Sequence, residues 1–294
     1  MREKIFKISD EQIKKMYLSG KSLSDIAKIA QDTKGYMALK RKLNLLGVDT
    51  SRNMKRYSYK LSKAIHKYTL DDTVFETIDT EEKAYWLGFL YADGYNHESK
   101  TCISLRLQEP DLEILEKFQK FLKTDCPIKS YERNTRAGKY RKYYELYICS
   151  PKISSDLTKL GCIQAKTYII EFPSVSIIPP TLIRHFIRGY FDGDGCISVT
   201  KRTDRGIRGN SNRVQFTITG KESFIKKCQE YICKNTNLPK TAINRSKDGF
   251  SVSLHYNGIN SVIKILNYLY TGSKIYLKRK HDKYMNLVSR QSNL

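Results

Sequence analysis

The chain has 294 residues, with 53 Lys and Arg against 30 Asp and Glu, a formal net charge of +23. That surplus favours a polyanionic partner, nucleic acid first among them, while a 40% hydrophobic content excludes a disordered basic tail. No apolar run reaches the roughly 18 residues of a membrane span, and "MREKIFKISDEQ" lacks the apolar core of a signal peptide, so the expectation is a cytoplasmic chain with no membrane partner.

The charge is uneven. Residues 1–70 hold 17 Lys and Arg against six Asp and Glu, which is nearly half the surplus in a quarter of the chain. The seven cysteines are odd in number and scattered, with no C-x-x-C, so reduced and mostly buried thiols are expected, not a disulfide framework or structural zinc. The five histidines have no ligand spacing either.

Residues 1–51 contain three short helical patterns. Ile13, Met16 and Tyr17 share a face, Gly20 stops the first helix, and Ser22 or Ser24 caps the second, which presents Leu23, Ile26 and Ala27. The third presents Leu39, Leu43 and Leu46 with Lys40, Arg41 and Lys42 beside that stripe, and ends at Gly47. This resembles a helix-turn-helix unit, whose last helix lies in the major groove; the plainer alternative is a small bundle with a solvated lysine face. Residues 52–79 read as a basic linker with an acidic, turn-rich end.

From Thr80 the chain is written twice, over residues 80–178 and 179–294. Thr80 can cap a helix with Glu81 and Glu82 in its first turn, and that helix runs to Asp93. Pro179 and Pro180 open a second helix running to Asp194. After each helix comes a strand of alternating pattern, with Ile103, Leu105 and Leu107 against Ser104, Arg106 and Gln108, then Val214, Phe216 and Ile218 against Gln215, Thr217 and Thr219. An amphipathic helix, two more strands and a closing helix follow each time.

The two opening helices match by type around their aspartates. Gly88 and Gly189 lie five residues before, Ala92 and Gly193 one before, and Gly94 and Gly195 one after. Small residues at i and i+4 make a flat stripe on which two helices can meet backbone to backbone. Asp93 and Asp194 would then sit side by side at one end, where two carboxylates repel unless a cation lies between them. A hard divalent ion such as magnesium suits that place, and beside a basic surface it suits phosphodiester hydrolysis. An isolated Asp-Gly is usually a turn, and the "DGDG" run is no EF-hand, because the twelfth position from Asp192 is Thr203 where a bidentate Glu is needed.

The segments "WLGFLYADG" (86–94) and "IRGYFDGDG" (187–195) resemble the two motif copies of single-chain LAGLIDADG homing endonucleases, and the resemblance extends over about residues 80–290. It implies an α+β fold of two pseudo-twofold-related αββαββα halves, each with an antiparallel saddle-shaped sheet, joined through the motif helices. It implies a monomer without small-molecule cofactor that reads the major groove of a long, asymmetric double-stranded DNA site. Ser104, Arg106 and Gln108 in one sheet, and Gln215, Thr217 and Thr219 in the other, would be the DNA-facing positions. Magnesium would be held by Asp93 and Asp194, with Gly94 and Gly195 beside them, and both strands cut across the minor groove to leave short 3′ overhangs. A lysine after each final helix would act on the scissile phosphates: Lys166 in the first half, and Lys278 or, next, Lys280 in the second. Departures are Tyr91 where the second copy has the acid Asp192, and an unclear polar position at the end of the second strand, filled by Gln108 or Glu109 in one half and Gly220 in the other. The rival functions are a non-cleaving transcription regulator, in which the acids are lost, and an RNA maturase. An intein would need splicing residues that the ends lack.

Overall fold

The computed structural model describes residues 8–19, 21, 23–30, 36–48, 68–97, 101–134, 140–163, 170–201, 212–246 and 251–292. The chain divides into two compact units, Met1–Ile65 and His66–Leu294.

The first unit is three helices, α1 (Asp10–Leu18), α2 (Leu23–Ile29) and α3 (Tyr36–Leu45). Ser9 starts α1 with a capping box: its hydroxyl accepts from Gln12 N at 3.2 Å while its own amide donates to Gln12 Oε1 at 3.0 Å. Ile13, Tyr17, Leu23, Ile26, Leu39 and Leu43 are buried together, with Leu46 partly buried against them. Gly47 follows α3 with φ of +71°, a left-handed turn that stops a helix at no steric cost. Gly20, Ser22 and residues 52–67 of the expected linker lie outside the described residues.

The rest of the expected linker belongs to the second unit, the body. Val74, Phe75 and Ile78 are buried in its core. Thr69 N donates to Asp125 Oδ1 at 2.6 Å, Asp71 N donates to Leu122 O at 2.9 Å, and Lys123 Nζ lies 2.8 Å from Asp71.

Within the body, α4 (Glu81–Ala92) is apolar all round and buried from Ala84 to Tyr91, as such a helix must be. Thr80 caps it, its hydroxyl accepting from Lys83 N at 3.2 Å. Then come β1 (Gly94–His97), β2 (Cys102–Gln108), α5 (Leu112–Phe121), β3 (Lys129–Asn134), β4 (Tyr140–Cys149) and α6 (Pro151–Lys159). A 3₁₀ turn at Pro180–Leu182 leads into α7 (Ile183–Asp194). The pattern repeats as β5 (Cys196–Lys201), β6 (Asn212–Gly220), α8 (Glu222–Thr236), β7 (Ile243–Arg245), β8 (Val252–Asn257) and α9 (Ile259–Tyr270). Both sheets are antiparallel with the same order, β1-β2-β4-β3 and β5-β6-β8-β7. The αββαββα order is thus present twice. No described helix is long and apolar enough to cross a membrane.

Two features depart from expectation. A further helix, α10 (Lys278–Ser292), follows the second copy. Cys102 and Cys149, directly opposite in the β2–β4 register, are joined in a disulfide, which corrects the expectation of seven thiols; the other five cysteines remain thiols.

Candidate active site

The site is built on the contact between α4 and α7, the most extensive helix pairing in the body. A Cβ placed on Gly88 would overlap the Phe186 carbonyl and lie 2.9 Å from Tyr190 N. Reciprocally, one on Gly189 would overlap the Tyr85 carbonyl and lie 2.8 Å from Phe89 N. The two backbones therefore touch where side chains would otherwise hold them apart. Farther along, a Cβ on Gly193 would overlap that of Ala92, so the small stripe continues to the helix ends.

Large residues flank this contact. Trp86 packs on Phe118 at 4.8 Å between ring centroids, Tyr190 on Phe224 at 4.4 Å, and Phe191 stacks on Phe216 at 4.5 Å, so each helix fills its own half's core. A buried polar anchor crosses the halves. Arg188, fully buried, gives Nη2 to Glu81 Oε1 at 2.9 Å, Nε to Ile275 O at 3.0 Å and Nη1 to Leu269 O at 3.0 Å. Burial and the Arg188 guanidinium together hold the neighbouring His185 down at about 4, so it is neutral near neutral pH.

The pairing delivers both motif aspartates to one place. Asp93 is the C-cap of α4 and Asp194 the last residue of α7, and both are exposed. Asp93 Oδ2 lies 3.3 Å from where a Gly193 Cβ would be, which sets the first carboxylate against the other motif's turn. Both charges act on Tyr190, whose hydroxyl is raised first by burial and then by Asp194 and Asp93. Two carboxylates are hard oxygen donors, which fit a hard divalent cation. Among the described residues no larger group of His, Cys, Asp and Glu converges on one point.

The structure separates the two lysine candidates of the second half. Lys278 is exposed, and its amino group sits 3.0 Å from Asp282 in an i,i+4 pair. Lys280 is 3% exposed, and its Nζ donates to the carbonyls of Phe191 at 2.5 Å, Asp192 at 2.7 Å and Gly195 at 2.6 Å. A cation there satisfies the orphan carbonyls of the α7 C-terminus and opposes its dipole. Burial lowers Lys280 to about 8, partly offset by Asp192 and Asp93. Lys280 thus stands at the turn that carries Asp194, and Lys278 does not. Lys166 lies outside the described residues.

Asp192 faces inward. It is fully buried and accepts from Tyr85 OH at 2.9 Å, Tyr270 OH at 2.5 Å and Leu277 N at 2.8 Å. Burial pushes its carboxyl up against the pull of Lys280 and these donors. Tyr91, at the matching place, donates to Leu160 O at 2.6 Å. Tyr91 thus ties α4 to its own half, while Asp192 ties α7 both to its own half, through Tyr270 and Leu277, and to α4, through Tyr85.

Sequence reasoning did not single out Arg279. Its guanidinium grips Asp111, at the end of the turn after β2, at 2.6 and 3.1 Å, so the start of α10 is bound to the other half beside the site. The residues lie 168 apart, and only the fold brings them together.

The strand candidates lie on the outer sheet faces. On β2, Ser104, Arg106 and Gln108 alternate with the buried Ile103, Leu105 and Leu107. Ser104 is buried against His97 Nε2 at 3.1 Å, Arg106 pairs with Glu145, and Gln108 accepts from Arg141 Nη1 at 3.4 Å. On β6, Gln215 donates to Asn257 Oδ1 at 2.9 Å, Thr217 meets His255 Nδ1 at 3.0 Å, and Thr219 meets Ser253 at 3.0 Å. In the first unit Lys40 and Lys42 are half-buried on α3, and Lys42 Nζ is held by Asp10 at 3.0 Å. The Arg41 side chain lies outside the described residues.

The body is thus a twofold repeat whose two buried helices end in exposed acids, joined to two antiparallel sheets with polar outer faces. The LAGLIDADG endonuclease family model matches residues 187–289, and the LAGLIDADG-like domain model matches residues 80–156. With both halves matched, the chain belongs to the LAGLIDADG endonuclease family, as a double-motif member, and is a DNA endonuclease by class. Similar solved structures include the meganuclease I-SmaMI bound to uncleaveable DNA, at 15% identity and TM-score 0.45 over 72% of this chain and 89% of that one. I-SmaMI bound to an uncleaved DNA target in the presence of calcium ions aligns at 16% identity and TM-score 0.45, over 71% and 92%. The I-LtrWI LAGLIDADG homing endonuclease bound to target DNA aligns at 12% and 0.43, over 76% and 92%. Comparison of the sequence with curated proteins finds no match.

Proposed function

We propose that the chain is a site-specific homing endonuclease that works as a monomer and makes magnesium-dependent double-strand breaks in a long, asymmetric DNA site. The observation that carries this is the Asp93 carboxylate set against Gly193 by the glycine contact of α4 with α7. Asp93 and Asp194 would hold the cation, with the backbone at Gly94 and Gly195 beside them. When bound, magnesium polarises the scissile phosphates and acidifies the attacking water. The chain's own residues do the rest. Arg279 and Asp111 fix the α10 start, Lys280 locks the carbonyls around Asp194, and the outer sheet faces hold the duplex in register. The three-helix unit adds phosphate contacts along one flank of the site.

The test incubates the full chain with a randomised duplex library, with magnesium, with calcium, or with chelator. Sequence-selective double-strand cutting with magnesium alone is expected, with binding but little cutting in calcium. Selective binding without cutting in any metal would instead make this a DNA-binding regulator, and selective binding of structured RNA over duplex DNA would make it a maturase.

A further inference from the structure

One group on the first sheet's outer face is out of character with the surface around it. That face carries Tyr95 and His97 from β1, Arg106 from β2, Lys129, Tyr131 and Arg133 from β3, and Arg141 from β4. Among the described residues of the face the sole acid is Glu145 of β4, 7% exposed and directly opposite Arg106. A carboxylate on a surface built for a polyanion weakens every phosphate contact near it. Its use lies in what it holds. Arg106 Nη2 is 2.9 Å from Glu145 Oε1, and the guanidinium carbon sits 5.2 Å from the centroid of the Tyr131 ring. The Glu145 carboxylate also acts on the Tyr131 hydroxyl, raising its pKa. Arg106 is thus held by a carboxylate and lies over an aromatic ring, while its side chain keeps 44% exposure.

Among its described residues the second sheet has no such device. Counting from the motif glycines, the register partners matching Arg106 and Glu145 are Thr219 and Ser253, which are uncharged and bonded to each other at 3.0 Å. The clamp is therefore a difference between the halves and not a demand of the fold.

Resting on the proposed function above, we propose that Arg106, clamped by Glu145 and Tyr131, is a specificity-determining residue that selects guanine at one base pair under the first sheet. Glu145 offsets the charge that would draw Arg106 to phosphate. A guanidinium with one edge held by a carboxylate presents its remaining donors as a rigid fork, which matches guanine O6 and N7 in the major groove.

The test compares the full chain with Arg106→Ala, Arg106→Lys and Glu145→Gln, each selected on a randomised duplex library and titrated on the selected site across a salt series. The original chain should demand guanine at one position beneath the first sheet. Arg106→Ala should lose that demand, binding the selected site about 5- to 100-fold more weakly, with other positions and the salt slope unchanged. Arg106→Lys keeps the charge and should fail to restore the guanine. Glu145→Gln frees a cation and should steepen the logarithmic salt slope by about 0.9 while loosening the guanine preference. A uniform loss by Arg106→Ala across all sequences, with a slope shallower by about 0.9, would make Arg106 a phosphate contact and overturn the proposal. So would an unchanged guanine in that variant's selected sites. A chain that cuts selectively but shows either result refutes the clamp alone, whereas one that selects no duplex refutes the endonuclease function and the clamp together.

Discussion

Gly88→Ala adds one methyl group to the interface on which the site depends, and its sign separates two accounts of α4. On a solvent-facing helix the change stabilises by about 1 kcal/mol, because alanine is the better helix former. Here the methyl would meet the Phe186 carbonyl and lie 2.9 Å from Tyr190 N, both backbone atoms of a helix that cannot swing aside as a side chain would. Ordinary contact is about 3.5–4 Å, so the helices must part by roughly 1 Å along their whole pairing. Overpacking of that kind costs about 1–3 kcal/mol, and backbone against backbone belongs at the upper end. After the propensity gain the net loss is about 2 kcal/mol, which for a body of this size lowers Tm by roughly 4–8 °C. Differential scanning calorimetry gives the stability, and cleavage on the same samples gives the function. Cutting should fall further than the Tm loss explains at a temperature where the protein stays folded, because the separation moves Asp93 from Gly193. A variant as stable as the parent, or more stable, would refute the backbone contact.

Lys280→Met leaves the carbonyls of Phe191, Asp192 and Gly195 without their shared donor, so it should cost on the order of 1–3 kcal/mol and slow cutting, whereas Lys278→Ala breaks one exposed pair and should leave both near the parent values; slower cutting by Lys278→Ala than by Lys280→Met would reverse the assignment. Alkylation of the denatured, unreduced protein should add five groups and seven after reduction, read by intact mass, and seven without reductant would refute the Cys102–Cys149 bond. Closing that loop stabilises by about 4 kcal/mol on the chain-entropy account, so Cys102→Ser with Cys149→Ser should lower Tm. A chain beginning at His66 keeps both aspartates and should still cut, with weaker binding and a salt slope shallower by about 0.9 for each phosphate it no longer neutralises; an equal slope and equal footprint would show that the three-helix unit does not touch DNA.

The repeated αββαββα order was legible because alternation and helical periodicity recur at one offset, and because small residues recur at fixed distances from Asp93 and Asp194. Those signals are local. What escaped was set by pairing across the chain. Cys102 and Cys149 look like scattered thiols until the β2–β4 register places them opposite each other. Lys278 and Lys280 are equivalent in a basic run, and only the direction of α10 buries one and exposes the other. That helix itself was missed because its few buried residues, such as Tyr284 and Leu287, are hidden among charges. Residues 68–79 read as linker because acids and turns dominate them, although Val74, Phe75 and Ile78 were there to be buried. Arg279 and Asp111 carry no local signal at all.

The central claim is that Asp93 and Asp194 form one cutting centre across the α4–α7 contact. Asp93→Asn and Asp194→Asn, each assayed for double-strand cutting and for binding on the selected site, test it most directly. Each should lose cutting by on the order of 10²- to 10³-fold while keeping affinity within about tenfold, since the change removes a cation-binding charge and leaves the groove contacts in place. Parent-level cutting by both variants would contradict the account.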